Sequence, residues 1–174
     1  TAYRRQRQMC IRDSAGEGPM LEKELEARLS SVSSSNRYTD NGDGTVTDNR
    51  SGLIWLKNAN CFGRQDWETT MRSAAELAHG QCGLREGSRA GMWRLPTIDE
   101  WKAMIDEKYT WPVLSNAAGT GKWEEGDAFS GYYWSSTPFA TVTGYAWVVS
   151  LDGGSVFVTS KTLTRYVWPV RDGQ

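Results

Sequence analysis

Cys61, Cys82 and His79 are the residues whose types first invite a chemical reading. The chain holds one histidine and three cysteines, too few in the right spacing for a zinc site, which takes four ligands arranged in close pairs. Cys10 falls in an N-terminal segment treated apart below, leaving Cys61 and Cys82 as a pair. Such a pair can make one disulfide; a loop of roughly 20 residues closed this way gains about 3 kcal/mol in the chain-entropy model and needs an oxidising compartment. Two buried reduced thiols are the alternative. Ser135 and Ser136 have no histidine nearby in sequence, so a nucleophilic triad would depend on His79 alone. His79 itself follows a helical stretch, where a capping or surface role suits it. The turn Asn41-Gly42-Asp43-Gly44 is acid-rich, yet Asp40, Gly42 and Gly44 stand where a calcium loop needs three oxygen ligands, and a hairpin turn fits better. No catalytic constellation emerges, and neither a cofactor nor a metal is expected.

Recognition chemistry is better represented. Strand alternation in Val156–Thr159 places Val156 and Val158 inward and turns Phe157 and Thr159 to the opposite face. Phe139, Tyr145, Lys161, Arg165 and Tyr166 lie near the same end of the chain and add rings and donors, the residue types that anchor interfaces. Of nine tryptophans, Trp55, Trp67, Trp93, Trp101, Trp134 and Trp147 sit among apolar neighbours in regular elements and read as core. Trp111 and Trp123 instead fall in a long Gly-rich segment, Tyr109 to Gly131, of the kind that is usually functional when ordered. The candidate ligand surface is therefore this loop with the outer face of the last hairpin: Trp123, Phe139, Tyr145, Phe157, Lys161, Arg165 and Tyr166. A lid of Trp123 on the core, and a plain solvated sheet face or oligomer contact, are the competing readings.

The elements that must position these residues are marked by turns and caps. Arg37 to Lys57 alternates short β-favouring runs with the turn clusters at 41–44 and 49–52, predicting three strands joined by two turns. A helix is predicted near Trp67 to His79, with Gly80 as its stop. A second runs from Ile98 to about Asp106: Thr97 and Glu100 make a capping box, and Pro96 and Trp101 a hydrophobic staple. Tyr132–Ser136, Tyr145–Leu151, Val156–Thr159 and Val167–Arg171 are the remaining predicted strands, with Asp152-Gly153-Gly154 joining the middle two.

The N-terminal part stands apart. Arg4 to Ser14 resembles the one-frame translation of an adapter used in sequencing libraries, so residues 1–19 are excluded from the fold as adapter-derived or disordered. Residues 20–36 read as a short amphipathic helix (Leu21, Leu25, Leu29, Val32) followed by a Ser-rich linker, and residues 37–174 as the domain. Without Arg4, Arg5, Arg7, Arg12 and Asp13 the chain has 16 basic and 20 acidic residues, a net charge of −4. Such a domain lacks the overall basic footprint that nucleic acid or heparin-like polymers require. No stretch approaches the roughly 18 apolar residues of a membrane span, and membrane insertion is not expected.

Four motifs then carry a resemblance: Tyr38 to Trp55 (YTDNGDGTVTDNRSGLIW), Trp93 to Trp101 (WRLPTIDEW), Tyr133 to Thr137 (YWSST) and Val167 to Gln174 (VWPVRDGQ). In order and spacing they are similar to the Lcl C-terminal domain family, a bacterial surface-protein module of the C-type-lectin-like group. The resemblance implies an α+β fold, C-type-lectin-like, with two helices packed on a twisted antiparallel sheet and a long Gly-rich loop. It also implies secretion or display at the cell surface or in the periplasm, which favours the disulfide, and binding of a glycan or protein ligand. Homo-oligomerisation as the cap of a stalk, and a retroelement-diversified variable receptor, are alternatives within the same frame. The Arg94-Leu95-Pro96-Thr97 element with its helix also resembles formylglycine-generating oxidase folds. Those enzymes need late cysteines or a histidine cluster, and this chain has no Cys after Cys82 and no His after His79. The Glu-Pro-Asn, Gln-Pro-Asp and Trp-Asn-Asp signatures of calcium-dependent sugar-binding lectins are also absent.

Overall fold

The computed structural model describes residues 37–116, 121–124 and 131–173. The readings for residues 1–36, and for the parts of the Gly-rich loop at 117–120 and 125–130, lie outside the described residues. Within them the predicted three-strand start is present: β1 (Tyr38–Asp40), β2 (Thr45–Asp48) and β3 (Ile54–Leu56) form consecutive antiparallel hairpins. The acidic turn serves itself. Asp40 Oδ1 accepts from the Gly42 N–H at 3.0 Å, and Asp43 Oδ1 accepts from both the N–H and the hydroxyl of Thr45. Its carboxylates stabilise the turn, and no group of three His, Cys, Asp or Glu among the described residues is arranged to hold a metal.

A short strand that the sequence pattern did not reveal, β4 (Arg64–Gln65), leads into α1 (Trp67–Glu76). Asp66 caps this helix, its carboxylate accepting from the Thr69 N–H at 3.1 Å and the Thr69 hydroxyl at 2.6 Å. Those bonds, the hydroxyl's first, favour the ionised form and hold the Asp66 carboxyl below the usual range. The helix ends at Glu76, earlier than His79, because Leu77 turns into an extended conformation and buries itself. α2 (Ile98–Met104) has the predicted capping box, Thr97 and Glu100 satisfying each other's backbone N–H groups.

β5 (Tyr132–Pro138), β6 (Tyr145–Ser150) and β7 (Val156–Ser160) form an antiparallel run close to the predicted spans. Of the expected last strand, Val167–Arg171, only its end is strand, and a further short strand precedes it. β8 (Arg165–Tyr166) lies between β4 and β5, while β9 (Val170–Arg171) pairs with β3, so the chain crosses from one sheet to the other through buried Val167, Trp168 and Pro169. Two sheets result, ordered β1-β2-β3-β9 and β4-β8-β5-β6-β7. With the two helices among the described residues this is an α+β fold.

Strand alternation sorts the second sheet's residues onto two packed faces. Tyr133 and Val149 join Trp55, Trp93, Trp101, Trp123 and Trp168 in the main core, against α2. Trp134, Ala146 and Val148 point the other way and pack with Leu95, Val167 and Ala74 of α1. Trp168 is the hub of the first cluster, its ring within 6 Å of those of Trp55, Trp101, Trp123 and Tyr133. Such offset and edge contacts add to the burial of large apolar rings. The expected disulfide is formed: Cys61 and Cys82, 21 residues apart, are bridged with Cα atoms 5.6 Å apart. No helix among the described residues is long and apolar enough to cross a membrane.

Candidate functional site

The seven residues expected on one ligand surface divide three ways. Trp123 is not at a surface. It is 2% exposed, packs edge-on against Tyr38 at 5.5 Å and Trp168 at 5.4 Å, and its N–H bonds the Leu114 carbonyl. The reason is local: Val113 N–H pairs with the Leu151 carbonyl and Ser115 bridges to Lys122, pinning this part of the loop to the core so that its ring fills the interior. Trp123 is thus the lid of the alternative reading, while Trp111, 61% exposed, is the loop tryptophan that meets solvent.

Phe139, Tyr145 and Tyr166 belong to the main-core side of the second sheet. Tyr145 alternates with Trp147 and Val149, away from Phe157, and is itself exposed. Phe139 packs edge-on against Trp147 at 5.8 Å. Tyr166 is half-buried, tilted against Tyr133 at 5.3 Å, and Gly131 leaves the space for it, since a Cβ there would come within 2.8 Å of the Tyr166 ring. These three do not extend the surface carrying Phe157. Val158 has the expected facing, opposite Trp147 in the ladder, but on the outermost strand it is partly exposed, while Val156 packs on the core.

Phe157 and Arg165 do come together, both against Tyr132, on the face shared with α1, whereas Lys161 lies against the first residue of α1. Phe157 lies opposite Val148 in the ladder and remains 45% exposed. Its ring meets that of Tyr132 edge-on at 5.8 Å, and Tyr132 is itself 42% exposed. The Arg165 guanidinium lies 5.3 Å from the Tyr132 ring centroid and reaches the Thr159 hydroxyl at 3.4 Å. Burial, then the nearby charge of Arg64, lower the Arg165 pKa from its ordinary value. Lys161 places its ammonium 4.2 Å from the Trp67 ring centroid, and its carbonyl accepts the Trp67 N–H, tying it to the start of α1. On the opposite side of β4, Arg64 covers Tyr166 at 5.6 Å.

The framework beneath is cross-tied by indole donors. Trp67 Nε1 donates to the Ser135 carbonyl and Trp134 Nε1 to the Gln65 carbonyl, each at 2.8 Å, lashing β4 and α1 to β5. None of the ion pairs among the described residues uses Arg64, Lys161 or Arg165. Gln65 Oε1 and Arg165 Nε, on directly opposed residues of β4 and β8, are buried without hydrogen-bond partners. The arrangement offers exposed ring faces, hydrogen-bond donors and an acceptor, and positive charge. Ser135 donates its hydroxyl to the Trp147 carbonyl, and His79 Nδ1 accepts from the Gly87 N–H. Both are occupied by the backbone.

Sequence reasoning missed Tyr132 and Gln65. The signal for Tyr132 was its place one residue before Tyr133, which alternation must turn to the other face.

Among the described residues, two helices on two largely antiparallel sheets, with one face left open and aromatic, define an α+β domain. The chain matches the Lcl C-terminal domain over residues 44–171 and belongs to that family. Comparison with curated proteins finds no match.

Proposed function

We propose that this domain is a non-enzymatic recognition module of a secreted or surface-displayed bacterial protein and that it binds a glycan on the open face built from Tyr132, Phe157, Thr159 and Arg165. The observation that carries the reading is the pair of exposed rings, Tyr132 and Phe157, held edge to face beneath a guanidinium that no carboxylate among the described residues neutralises. Sugar C–H faces stack on such rings, and hydroxyls use the donors and acceptors beside them. The acidic net charge of the chain sets the distant field, whereas Arg64, Lys161 and Arg165 set the local one. Membership of the Lcl C-terminal domain family and the Cys61–Cys82 bridge support an oxidising, extracytoplasmic setting. The engagement of Ser135 and His79 by backbone groups supports a site without nucleophilic chemistry.

The test is a glycan array probed with the purified chain, followed by mass analysis of each glycan hit after prolonged incubation. Saturable binding with unchanged glycan masses is expected. Cleaved or modified glycans would make the domain an enzyme, and binding confined to immobilised proteins would replace the ligand class.

A further inference from the structure

A second recess lies on the first sheet, and none of its lining residues belongs to the open aromatic face. It is a cleft of about 490 Å³ lined by the β1–β2 turn (Asp40, Gly42, Gly44), by Lys57 and Asn58 beyond β3, and by Cys82, Gly83 and Arg85. That volume falls in the range of small-ligand sites, about 300 to 1,000 Å³.

The walls are fixed by backbone contacts. The Arg85 N–H bonds the Asp43 carbonyl at 2.8 Å and the Lys57 N–H bonds the Gly44 carbonyl at 2.9 Å. The disulfide ties Cys82 to Cys61 at one side. Gly44, at φ +91°, packs so closely on Gly83 that a Cβ would strike the Gly83 carbonyl, which brings the two loops into direct main-chain contact. Gly42 and Gly83 also adopt positive φ, and the absence of side chains there keeps the recess open.

The charges decide what fits. Local carboxylates are consumed by the fold: Asp40 accepts from the Lys57 ammonium at 2.6 Å and from Gly42 N–H, and Asp43 from Thr45. The Lys57 hydrogen bond is the largest influence holding the Asp40 carboxyl below its usual range, so the pair stays ionised. Arg85 is exposed, lines the cleft, and enters no ion pair among the described residues. Its planar fork suits a two-oxygen anion, Asn58 adds an amide, and glycine backbone lets a ligand approach closely.

The geometry points to this cleft as a separate binding site for a carboxylate-bearing small ligand, in which Arg85 pairs with the carboxylate and Asn58 and the glycine turns take the remaining polar groups. A sugar acid and the free C-terminus of a peptide share this chemistry.

The site is tested by NMR titration of the full chain with D-galacturonate, N-acetylglycine, D-galactose and sodium sulfate. Saturable shifts at the amides of Gly42, Gly44, Gly83 and Arg85 with either carboxylate are expected, and the stronger of the two identifies the source. The Arg85→Gln variant should weaken binding at least tenfold with an unchanged thermal midpoint. Phe157→Ala should leave these shifts intact, so a failure of the open-face reading does not touch this one. Equal response to galactose, equal or stronger response to sulfate, an unchanged affinity in Arg85→Gln, or no saturable shift with either carboxylate would each overturn the assignment.

Discussion

Replacing Trp123 with alanine separates a core tryptophan from a ligand anchor. The ring is 2% exposed and makes two edge contacts, with Tyr38 and Trp168. Truncating a buried Trp to Ala costs about 3 to 5 kcal/mol, the lost transfer energy plus the cavity left behind, and each aromatic contact is worth roughly 0.5 to 1.5 kcal/mol of that. A domain of this size has a total stability of about 5 to 15 kcal/mol, so the loss is a large share of it. At about 3 to 5 °C per kcal/mol, the thermal midpoint should fall by roughly 9 to 25 °C. The assay is urea and thermal unfolding followed by near-ultraviolet circular dichroism, with Phe157→Ala as the exposed control and an expected change of under about 1 kcal/mol. A loss below about 1.5 kcal/mol for Trp123→Ala would refute the burial argument and return Trp123 to the candidate ligand surface.

Further consequences follow from local geometry. Replacing Cys61 and Cys82 together by alanine should cost about 3 kcal/mol, since their bridge closes a loop of about 20 residues in the unfolded chain; equal denaturant midpoints would contradict this. Gly44→Ala should destabilise by about 2 kcal/mol or more, read from the same curves, because its φ of +91° and the facing Gly83 carbonyl leave no room for a methyl. Glu100 titrates under opposed influences: burial raises its pKa, but the Arg94 guanidinium, at 2.7 and 2.8 Å, and the Thr97 N–H outweigh it and hold the carboxyl below the usual range. A depressed carboxyl contributes stability that is present above the unfolded pKa, about 4.3, and lost as pH falls through the lower folded value. Glu100→Gln should therefore lower the melting temperature at pH 7 and narrow the gap to the parent chain by pH 3; a gap independent of pH would contradict the assignment.

The first hairpins were legible because Asn-Gly and Ser-Gly turns punctuate β-favouring runs, and α2 because capping is written in four consecutive residues. β4 and the break at Val167–Pro169 were not. A two-residue strand has no periodicity, and the apolar run Val167–Val170 fits one buried strand as well as it fits a crossing between sheets. For the site, alternation correctly placed Phe157 outward. Proximity in sequence then grouped Tyr145, Phe139 and Tyr166 with it, although register turns them to the other face. Trp123 was misassigned because a Gly-rich stretch conceals the hydrogen bonds to Leu114 and Leu151 that fold it inward. The cleft at Arg85 lies between segments some 40 residues apart, and only the disulfide pair hinted at their approach.

The central claim, that Tyr132, Phe157 and Arg165 form the ligand-binding face, is tested most directly by measuring the affinity of Phe157→Ala for the strongest array glycan alongside its melting temperature. A hot-spot ring commonly costs 2 kcal/mol or more at an interface, so affinity should fall by about 30-fold while the melting temperature stays within a few degrees of the parent. Unchanged affinity in a folded Phe157→Ala protein, repeated in Tyr132→Ala, would contradict the account and move the ligand elsewhere on the domain.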